Sequence, residues 1–196
     1  MTITCLDLEG VLVPEIWIGV AQKTGIADLR FTTRDIPDYD VLMRRRLAIL
    51  RKEGIRLADI QKVISRLKPL PGARVFLDEL RSRSQVLILS DTFEEFAKPL
   101  MEKLGMPTLF CNSLKIDKKG FISGYTLRQK NGKEKAVRAL HSIGYRVHAA
   151  GDSYNDITML KAADKGVLFN PPANIRKEYP RFKVAVNYPQ LLSALR

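Results

Sequence analysis

Short apolar runs bounded by turn residues recur along most of this chain and predict β-strands. The predicted strands are Ile3–Leu8, Gln85–Ser90, Thr108–Cys111, Arg146–Ala150, Gly166–Phe169 and Val184–Val186. Between several of them, apolar residues recur at the helical period, and the predicted helices are Gly72–Arg83, Phe93–Leu104, Lys133–Ile143 and Asp156–Ala163. Strands that alternate with helices predict an α/β fold: a Rossmann-like, mostly parallel sheet with helices on both faces.

Two further segments alternate in polarity and predict a β-hairpin. They are Leu114–Lys118 and Phe121–Arg128, and they flank the dipeptide Lys119-Gly120. A glycine between two alternating segments is typical of a tight hairpin connection. We expect this hairpin to be inserted in the alternating framework.

The interval from Pro14 to Pro71 breaks the alternation of strands and helices. It contains no convincing strand and three helical stretches, near Glu15–Thr24, Tyr39–Lys52 and Leu57–Leu67. The run Pro69-Leu70-Pro71-Gly72 ends it. We therefore predict a small helical cap at residues 14–71, inserted into a Rossmann-like core of residues 1–13 and 72–196.

One arginine lies on the apolar face of the second cap helix. On a helical wheel, the apolar residues within about 60° of Arg46 are Tyr39, Leu42, Met43, Ile49 and Leu50. Either its stem lies along the core while its charged end reaches water, or it binds an anion in the cleft between the lobes. A buried guanidinium needs a partner, so both interpretations predict a carboxylate or phosphate nearby.

Polar residues follow three predicted strands at their carboxyl ends, where open parallel sheets bind ligands. The first strand leads into Asp7-Leu8-Glu9-Gly10-Val11, the second into Ser90-Asp91-Thr92, and the fourth into Gly151-Asp152-Ser153-Tyr154-Asn155-Asp156. Lys133 begins the helix that precedes the fourth strand. These residues are therefore expected to meet at one edge of the sheet.

This set of residues suits phosphoryl transfer. Asp7 and Asp152 offer the carboxylate oxygens that Mg²⁺ prefers. Ser90 offers a hydroxyl at the head of a helix, where phosphate oxygens bind readily. Lys133 adds a positive charge for the transferring group. A carboxylate nucleophile would split the transfer into two steps through an aspartyl phosphate.

Length and composition fit an ordinary globular protein. The 196 residues are 45% hydrophobic and 28% charged, enough for one sizeable core with a smaller lobe. The first residues do not resemble a secretory signal, and no apolar run reaches the roughly 20 residues of a membrane span. Cys5 and Cys111 lie in apolar runs and are expected to be reduced thiols. We expect a cytoplasmic protein without membrane contacts.

The formal net charge of +12 raises the question of a polyanionic partner. Lys and Arg are dispersed along the chain, with one denser stretch from Arg44 to Lys68. The chain has no zinc-ligand spacing, no glycine-flanked aromatic RNA-binding motif and no basic leucine zipper. We therefore expect no specific nucleic-acid partner, and a general attraction for anions.

With its motifs in this order, the chain resembles the haloacid dehalogenase-type phosphotransferases, and within them the phosphoserine phosphatases. The resemblance covers essentially the full length: Asp7-Leu8-Glu9-Gly10-Val11 is similar to the nucleophile motif, Ser90 to the second motif, Lys133 to the third, and Gly151–Asp156 to the fourth. The helical insert stands where that family carries its lid. The resemblance implies a soluble enzyme of serine and threonine biosynthesis.

The resemblance also implies roles for individual residues. Asp7 would be the nucleophile. Mg²⁺ would be held by Asp7, the backbone carbonyl of Glu9 and Asp152, with Asp156 supporting these ligands from behind. The substrate contacts of the family correspond here to Glu15, Arg46, Ser90, Asp91, Lys133 and Asn155.

The two cap residues also fit an amino-acid substrate on chemical grounds. The planar guanidinium of Arg46 could grip an α-carboxylate with two parallel hydrogen bonds. Glu15 could meet the α-ammonium, or it could simply stabilise the first turn of a helix that starts near Pro14.

Glu9 is a departure from the family pattern, which has Asp two residues after the nucleophile. Together with the cap sequences Pro14–Trp17 and Thr33–Asp40, it closely resembles the bifunctional phosphoserine phosphatase/homoserine phosphotransferases. Such enzymes move phosphate from phosphoserine to homoserine or to water. We expect Glu9 to be the catalytic acid and base, with phosphoserine and homoserine as small-molecule partners.

Two other functions stay open at this point. One is a phosphatase of another small phosphate ester, because the core motifs do not specify the leaving group. The other is a basic nucleic-acid-binding protein with an inactive phosphatase fold, which the complete set of Asp7, Ser90, Lys133 and Asp152 disfavours. The preferred acceptor and the oligomeric state also stay open, with a homodimer as one option.

Overall fold

A computed structural model describes residues 1–32, 35–36 and 38–196 of the protein. A seven-stranded sheet lies at its centre, in the order β4-β3-β2-β1-β5-β6-β7. The strands are β1 (Thr2–Leu6), β2 (Gln85–Phe93), β3 (Thr108–Ile116), β4 (Ile122–Thr126), β5 (Arg146–Gly151), β6 (Lys165–Phe169) and β7 (Lys183–Ala185). Every neighbouring pair is parallel except β3 and β4. The predicted α/β class with a mostly parallel sheet is confirmed.

Helices connect the strands and cover both faces of the sheet. They are α1 (Ile16–Thr24), α2 (Tyr39–Lys52), α3 (Leu57–Ile64), α4 (Ala73–Arg81), α5 (Glu94–Lys103), α6 (Gly132–Ser142), α7 (Ile157–Ala162), α8 (Ala173–Glu178) and α9 (Tyr188–Ala194). Short 3₁₀ helices lie at Ala27–Arg30 and Tyr154–Asp156. None of the helices over the described residues has both the length and the apolar composition that crossing a bilayer needs.

The alternation of side chains along the central strands divides the core between two faces. In β1, Ile3 and Cys5 pack with one cluster, which includes buried residues of α6, α7 and α8. Leu6 packs with the other cluster, which includes α4, α5 and α9. Successive side chains of a strand point to opposite faces, so one short apolar strand supplies both layers. Both cysteines are free, Cys5 buried and Cys111 half-buried.

The predicted hairpin differs from the observed one in its first strand. Thr108–Cys111 and Leu114–Lys118 were predicted as separate segments, yet β3 runs without a break over Thr108–Ile116. Its first half pairs in parallel with β2, and its second half pairs antiparallel with β4. The polar residues Asn112 and Ser113 interrupt the apolar pattern between the two halves but not the extended backbone.

The helices α1, α2 and α3 lie within the segment predicted as a cap. Asp38 begins α2 because its side chain accepts a hydrogen bond from the Val41 amide at 2.9 Å. The cap segment contacts the rest of the chain through several polar bonds, including Gln61 Nε2 to the Glu95 carbonyl at 2.9 Å. Division of the chain into a core and a cap stays a prediction.

Candidate active site

A tight turn carries the chain away from the end of β1. The Asp7 amide donates to the Ala150 carbonyl at 2.9 Å, which places Asp7 at the carboxyl edge of the sheet beside β5. The Gly10 amide then donates to the Val13 carbonyl at 2.8 Å. Gly10 has a φ of +79°, and a Cβ there would lie 2.4 Å from an Asp152 carboxylate oxygen. A glycine is therefore required for the turn to approach Asp152 this closely.

A second turn follows β5 and is organised by Asp156. One Asp156 oxygen accepts hydrogen bonds from the Asp152 amide at 3.0 Å and the Ser153 amide at 3.1 Å. The other accepts from Lys133 Nζ at 2.7 Å. Asp156 is fully buried, and a Cβ on Gly151 would lie 2.3 Å from its carboxyl carbon. Asp156 therefore holds the backbone of Asp152 and Ser153 and pairs with Lys133, while its role in supporting metal ligands stays a prediction.

Three buried carboxylates lie close together at this edge, and a lysine contacts two of them. Oxygens of Asp7, Asp152 and Asp156 lie within 4.8 Å of one another. Lys133 Nζ lies 2.9 Å from Asp7 Oδ1 and 2.7 Å from Asp156 Oδ1. Burial and the Asp156 charge raise the pKa of Asp7 well above its usual value, against the effect of Lys133. Burial lowers the pKa of Lys133, but Asp156 and Asp7 outweigh it and hold that pKa well above normal.

The chemistry of this cluster fits a hard divalent cation. Three carboxylates against one ammonium leave an excess of buried negative charge, which a divalent ion would neutralise. The donors are all oxygens, as Mg²⁺ prefers. Asp7 and Asp152 are the predicted carboxylate ligands, while both oxygens of Asp156 already accept hydrogen bonds from the protein.

Glu9 and Glu15 form a second acidic pair in the same cleft. Glu9 Oε2 accepts a hydrogen bond from the Ile16 amide at 2.8 Å, at the first residue of α1. Burial, the Glu15 charge and a hydrogen bond between the two carboxyl groups act on Glu9 and raise its pKa to about 8. A hydrogen bond between two carboxyl groups needs a proton on one of them. Glu9 is therefore able to hold a proton at neutral pH.

Arg46 is buried on the apolar face of α2, as predicted, while Arg44 and Arg45 are exposed. Its Nη2 donates to the Phe31 carbonyl at 2.7 Å. Burial lowers the pKa of Arg46 to about 10, and the nearby Glu9 and Glu15 charges oppose that shift. The predicted nearby carboxylates are present, although the hydrogen bonds of Arg46 with the described residues go to the Phe31 carbonyl and Met43 Sδ.

The segment Ser90–Thr92 forms another part of the site. The Thr92 amide donates to Ser90 Oγ at 3.2 Å. Asp91 Oδ2 accepts from Asn155 Nδ2 at 2.9 Å and lies 3.5 Å from Lys133 Nζ. The end of β2 and the turn after β5 are thereby joined across the site.

One cleft of about 770 Å³ brings most of the predicted site residues together. Nine of the ten line it: Asp7, Glu9, Glu15, Arg46, Ser90, Asp91, Lys133, Asp152 and Asn155. The tenth, Asp156, lies behind the cleft and is fully buried. The cleft is lined from both sides, by strand ends and by helices α1 and α2.

Sequence reasoning missed several further residues of this cleft, three of which contact predicted site residues. Trp17 lines it, and so do Tyr39 and Asn112. The Tyr39 hydroxyl and the Asn112 Nδ2 both donate to the Asp91 carbonyl, at 3.2 and 3.1 Å. The one signal in the sequence was Asn112, a polar residue inside an apolar strand; Tyr39 and Trp17 follow the ordinary helical pattern.

Comparisons with known proteins agree with this geometry. Residues 5–164 match the family model described as haloacid dehalogenase-like hydrolase. Phosphoserine phosphatase ThrH of Pseudomonas aeruginosa is 59% identical over 191 residues, which cover 97% of this chain and 93% of that protein. A phosphoserine phosphatase of Pseudomonas syringae pv. tomato is 59% identical over 189 residues, 96% of this chain and 80% of that protein.

The same fold occurs in a solved structure. The crystal structure of a phosphoserine phosphatase in apo form superposes with a TM-score of 0.80, over 99% of this chain and 98% of that one. Its sequence identity to this chain is 23%, so the likeness shows the fold.

Proposed function

This chain belongs to the haloacid dehalogenase-like hydrolase family, and we propose that it transfers the phosphoryl group of O-phosphoserine through an aspartyl phosphate on Asp7. The acceptor is water or homoserine, and the reaction depends on Mg²⁺. The observation that carries this proposal is the composition of the cleft described above. Asp7 and Lys133 line it from the sheet side. Glu15 and Arg46, which suit the charged groups of an amino acid, line it from the predicted cap.

The contacts of Asp7 favour one of its oxygens as the nucleophile. Asp7 Oδ1 accepts from the Leu8 amide at 2.7 Å and lies 2.9 Å from Lys133 Nζ. The hydrogen bonds over the described residues thus hold Oδ1, and attack on phosphorus falls to Oδ2. In the first step the Oδ2–P bond forms and the P–O bond to serine breaks. Lys133 remains protonated and faces the charge of the transferring group.

Glu9 supplies the proton that this step needs. Its raised pKa of about 8 leaves it protonated at neutral pH, so it can protonate the leaving serine oxygen. In the second step the acceptor hydroxyl gives its proton back to Glu9 and attacks phosphorus, and the bond to Asp7 breaks. The bound ion, held by Asp7 and Asp152 with the Glu9 carbonyl, would offset the negative charge of the phosphoryl group.

Recognition of phosphoserine rests on the cap side of the cleft. Arg46 carries a positive charge for the α-carboxylate, and Glu15 carries a negative charge for the α-ammonium. Ser90, Asp91 and Asn155 line the opposite wall beside the phosphoryl group. The high identity to two proteins named phosphoserine phosphatase supports this substrate. The cytoplasmic location and the oligomeric state stay predictions.

The direct test measures phosphate release from phosphoserine by the wild type and by Asp7→Asn. The amide cannot form the phosphoenzyme and weakens the metal site, so turnover should vanish while the fold, followed by circular dichroism, is kept. Chelation with EDTA should also abolish turnover, and Mg²⁺ should restore it. Retained steady-state activity in Asp7→Asn would contradict the nucleophile assignment. No phosphate release by the wild type would contradict the substrate.

The acceptor is tested by substitution of Glu9. Glu9→Asp shortens the side chain by one methylene and withdraws the carboxyl toward the position used by ordinary phosphatases of the family. We expect the ratio of hydrolysis to transfer onto homoserine to rise. The measurement is the partition of phosphate between water and homoserine at fixed phosphoserine concentration. An unchanged ratio would mean that the cap, and not Glu9, sets the acceptor.

A phosphatase of another small phosphate ester is the second candidate, because Asp7, Ser90 and Lys133 do not themselves recognise serine. It is favoured if esters without an α-carboxylate turn over as fast as phosphoserine.

A further inference from the structure

Trp17 is the single tryptophan of the chain, and it lies inside the candidate active site. Its side chain is buried, at 7% exposure, in helix α1. The guanidinium carbon of Arg46 lies 4.4 Å from the centre of its ring. The ring of Phe96 lies 5.5 Å away at an angle of 74°, and so it packs edge-on against the indole.

The guanidinium of Arg46 is held by three contacts. Its Nη2 donates to the Phe31 carbonyl at 2.7 Å, its Nη1 lies 3.8 Å from Met43 Sδ, and its flat face rests on Trp17. Its Nε is buried and has no hydrogen-bond partner among the described residues. These contacts fix the plane of the guanidinium, and the Arg46 side chain lines the cleft in this orientation. A buried donor without a partner is unfavourable, and a ligand oxygen would satisfy it.

Two carboxylates near Arg46 compete with the indole for its guanidinium. Glu9 and Glu15 are close enough to influence its pKa, and a free guanidinium would gain by pairing with either carboxylate. Such a pair would occupy the group that is to bind substrate and would also engage the acid/base residue. The indole face offers a competing attraction, which is strongest where water is excluded.

We propose that Trp17 is a positioning residue that holds the Arg46 guanidinium on its indole face, in the orientation in which Arg46 lines the cleft and meets the α-carboxylate of the substrate. The inference rests on the proposed function for the identity of the substrate. It assigns specificity for a carboxylate-bearing phosphate ester to a pair of side chains, one from α1 and one from α2.

The kinetic test compares two esters that differ in the carboxylate. O-phosphoserine carries it, and O-phosphoethanolamine keeps the ammonium and lacks it. Trp17→Leu should raise KM for phosphoserine about tenfold, as expected for a desolvated cation–π contact, with a much smaller change in kcat. KM for phosphoethanolamine should stay within about twofold. Trp17→Phe, which keeps an aromatic face, should recover part of the loss.

Phe96→Leu is the matched control. It removes the ring that packs at 74° to the indole and leaves the indole face under Arg46 in place. It should lower the midpoint of thermal unfolding at least as much as Trp17→Leu does, without raising KM for phosphoserine. Equal increases in KM for both esters in Trp17→Leu, or an equal increase in Phe96→Leu, would overturn the proposal.

The fluorescence of Trp17 gives a readout that does not depend on turnover. Because no other tryptophan is present, emission reports this ring alone. In Asp7→Asn, phosphoserine should change the emission and phosphoethanolamine should change it much less. If the wild type fails to hydrolyse phosphoserine, the proposed function is wrong, and the titration still decides the role of Trp17. An equal response to both esters, or no response to either, would overturn that role.

Discussion

Asp156→Asn tests whether the supporting carboxylate holds the site together. The best arrangement of the amide keeps its oxygen on the Asp152 and Ser153 amides and places its NH₂ group against Lys133, where a 2.7 Å contact now exists. The charge-assisted hydrogen bond from Lys133 to residue 156 is lost in a fully buried site. In its place, the ammonium of Lys133 faces the NH₂ group of the new amide, and neither can accept a hydrogen bond from the other. Lys133 keeps Asp7 as a partner at 2.9 Å. The expected loss of unfolding free energy is about 2–4 kcal/mol.

Removal of the Asp156 charge also has a stabilising effect, so the measurement is made both with Mg²⁺ and without it. The Asp156 charge repels that of Asp7, and its removal relieves part of this repulsion. The loss should therefore be largest with saturating Mg²⁺, which neutralises the cluster, and smaller in EDTA. Denaturant unfolding and a thermal scan both report it, the latter as a shift of roughly 5–15 °C.

Asp164→Asn is the control for this prediction. Asp164 also accepts one backbone amide, that of Val147 at 2.7 Å, and one basic side chain, His141 at 2.9 Å. Its side chain is 44% exposed, so water replaces what the substitution removes, and the loss should be much smaller. Equal losses in the two variants would refute the reasoning that burial makes Asp156 critical.

Two predictions concern the turn after β1. Gly10→Ala should lose more stability and more Mg²⁺-dependent activity than Gly54→Ala. Both glycines have a positive φ, but only at Gly10 would a Cβ lie 2.4 Å from an Asp152 oxygen. Equal losses in the two variants would contradict the close approach of the turn to Asp152. Glu9→Gln should gain stability relative to the wild type as pH rises from about 5 to 8 in EDTA. The folded wild type keeps a proton that the unfolded chain loses above the ordinary Glu pKa of 4.5, so its stability falls by up to about 1.4 kcal/mol per pH unit until the folded pKa of about 8. The measurement is the free energy of unfolding of the wild type and of Glu9→Gln at each pH. A difference between them that does not vary with pH would contradict the raised pKa of Glu9.

The sheet could be predicted from the sequence because each central strand is apolar on both faces. The predicted second strand and β2 share their start at Gln85, and the predicted strand Arg146–Ala150 and β5 share their start at Arg146. The last two helices, α8 and α9, were missed. They have six and seven residues, which is under two full turns and leaves an apolar pattern little room to repeat, although α7 is equally short and was predicted.

The site could be predicted as far as it rests on strand ends. Parallel strands bring their carboxyl ends to one edge, and that rule alone places Asp7, Asp91 and Asp152 together. The stacking of Arg46 on Trp17 could not be predicted, because it depends on how α1 and α2 pack in three dimensions. Similarly, the hydrogen bond of Glu9 to the Ile16 amide depends on the path of a loop, which periodicity does not describe.

That hydrogen bond links the two halves of the proposed reaction. Glu9 follows the nucleophile in the turn after β1, yet its Oε2 holds the first amide of α1, the helix that begins directly after Glu15 and carries Trp17. The group proposed to move the proton is therefore fastened to the helix proposed to orient the amino acid. A shift of α1 would change the distance from Glu9 to the leaving oxygen and the surface under Arg46 together. If the proposed roles hold, we expect a substitution that displaces α1 to weaken the binding of phosphoserine and proton transfer by Glu9 together.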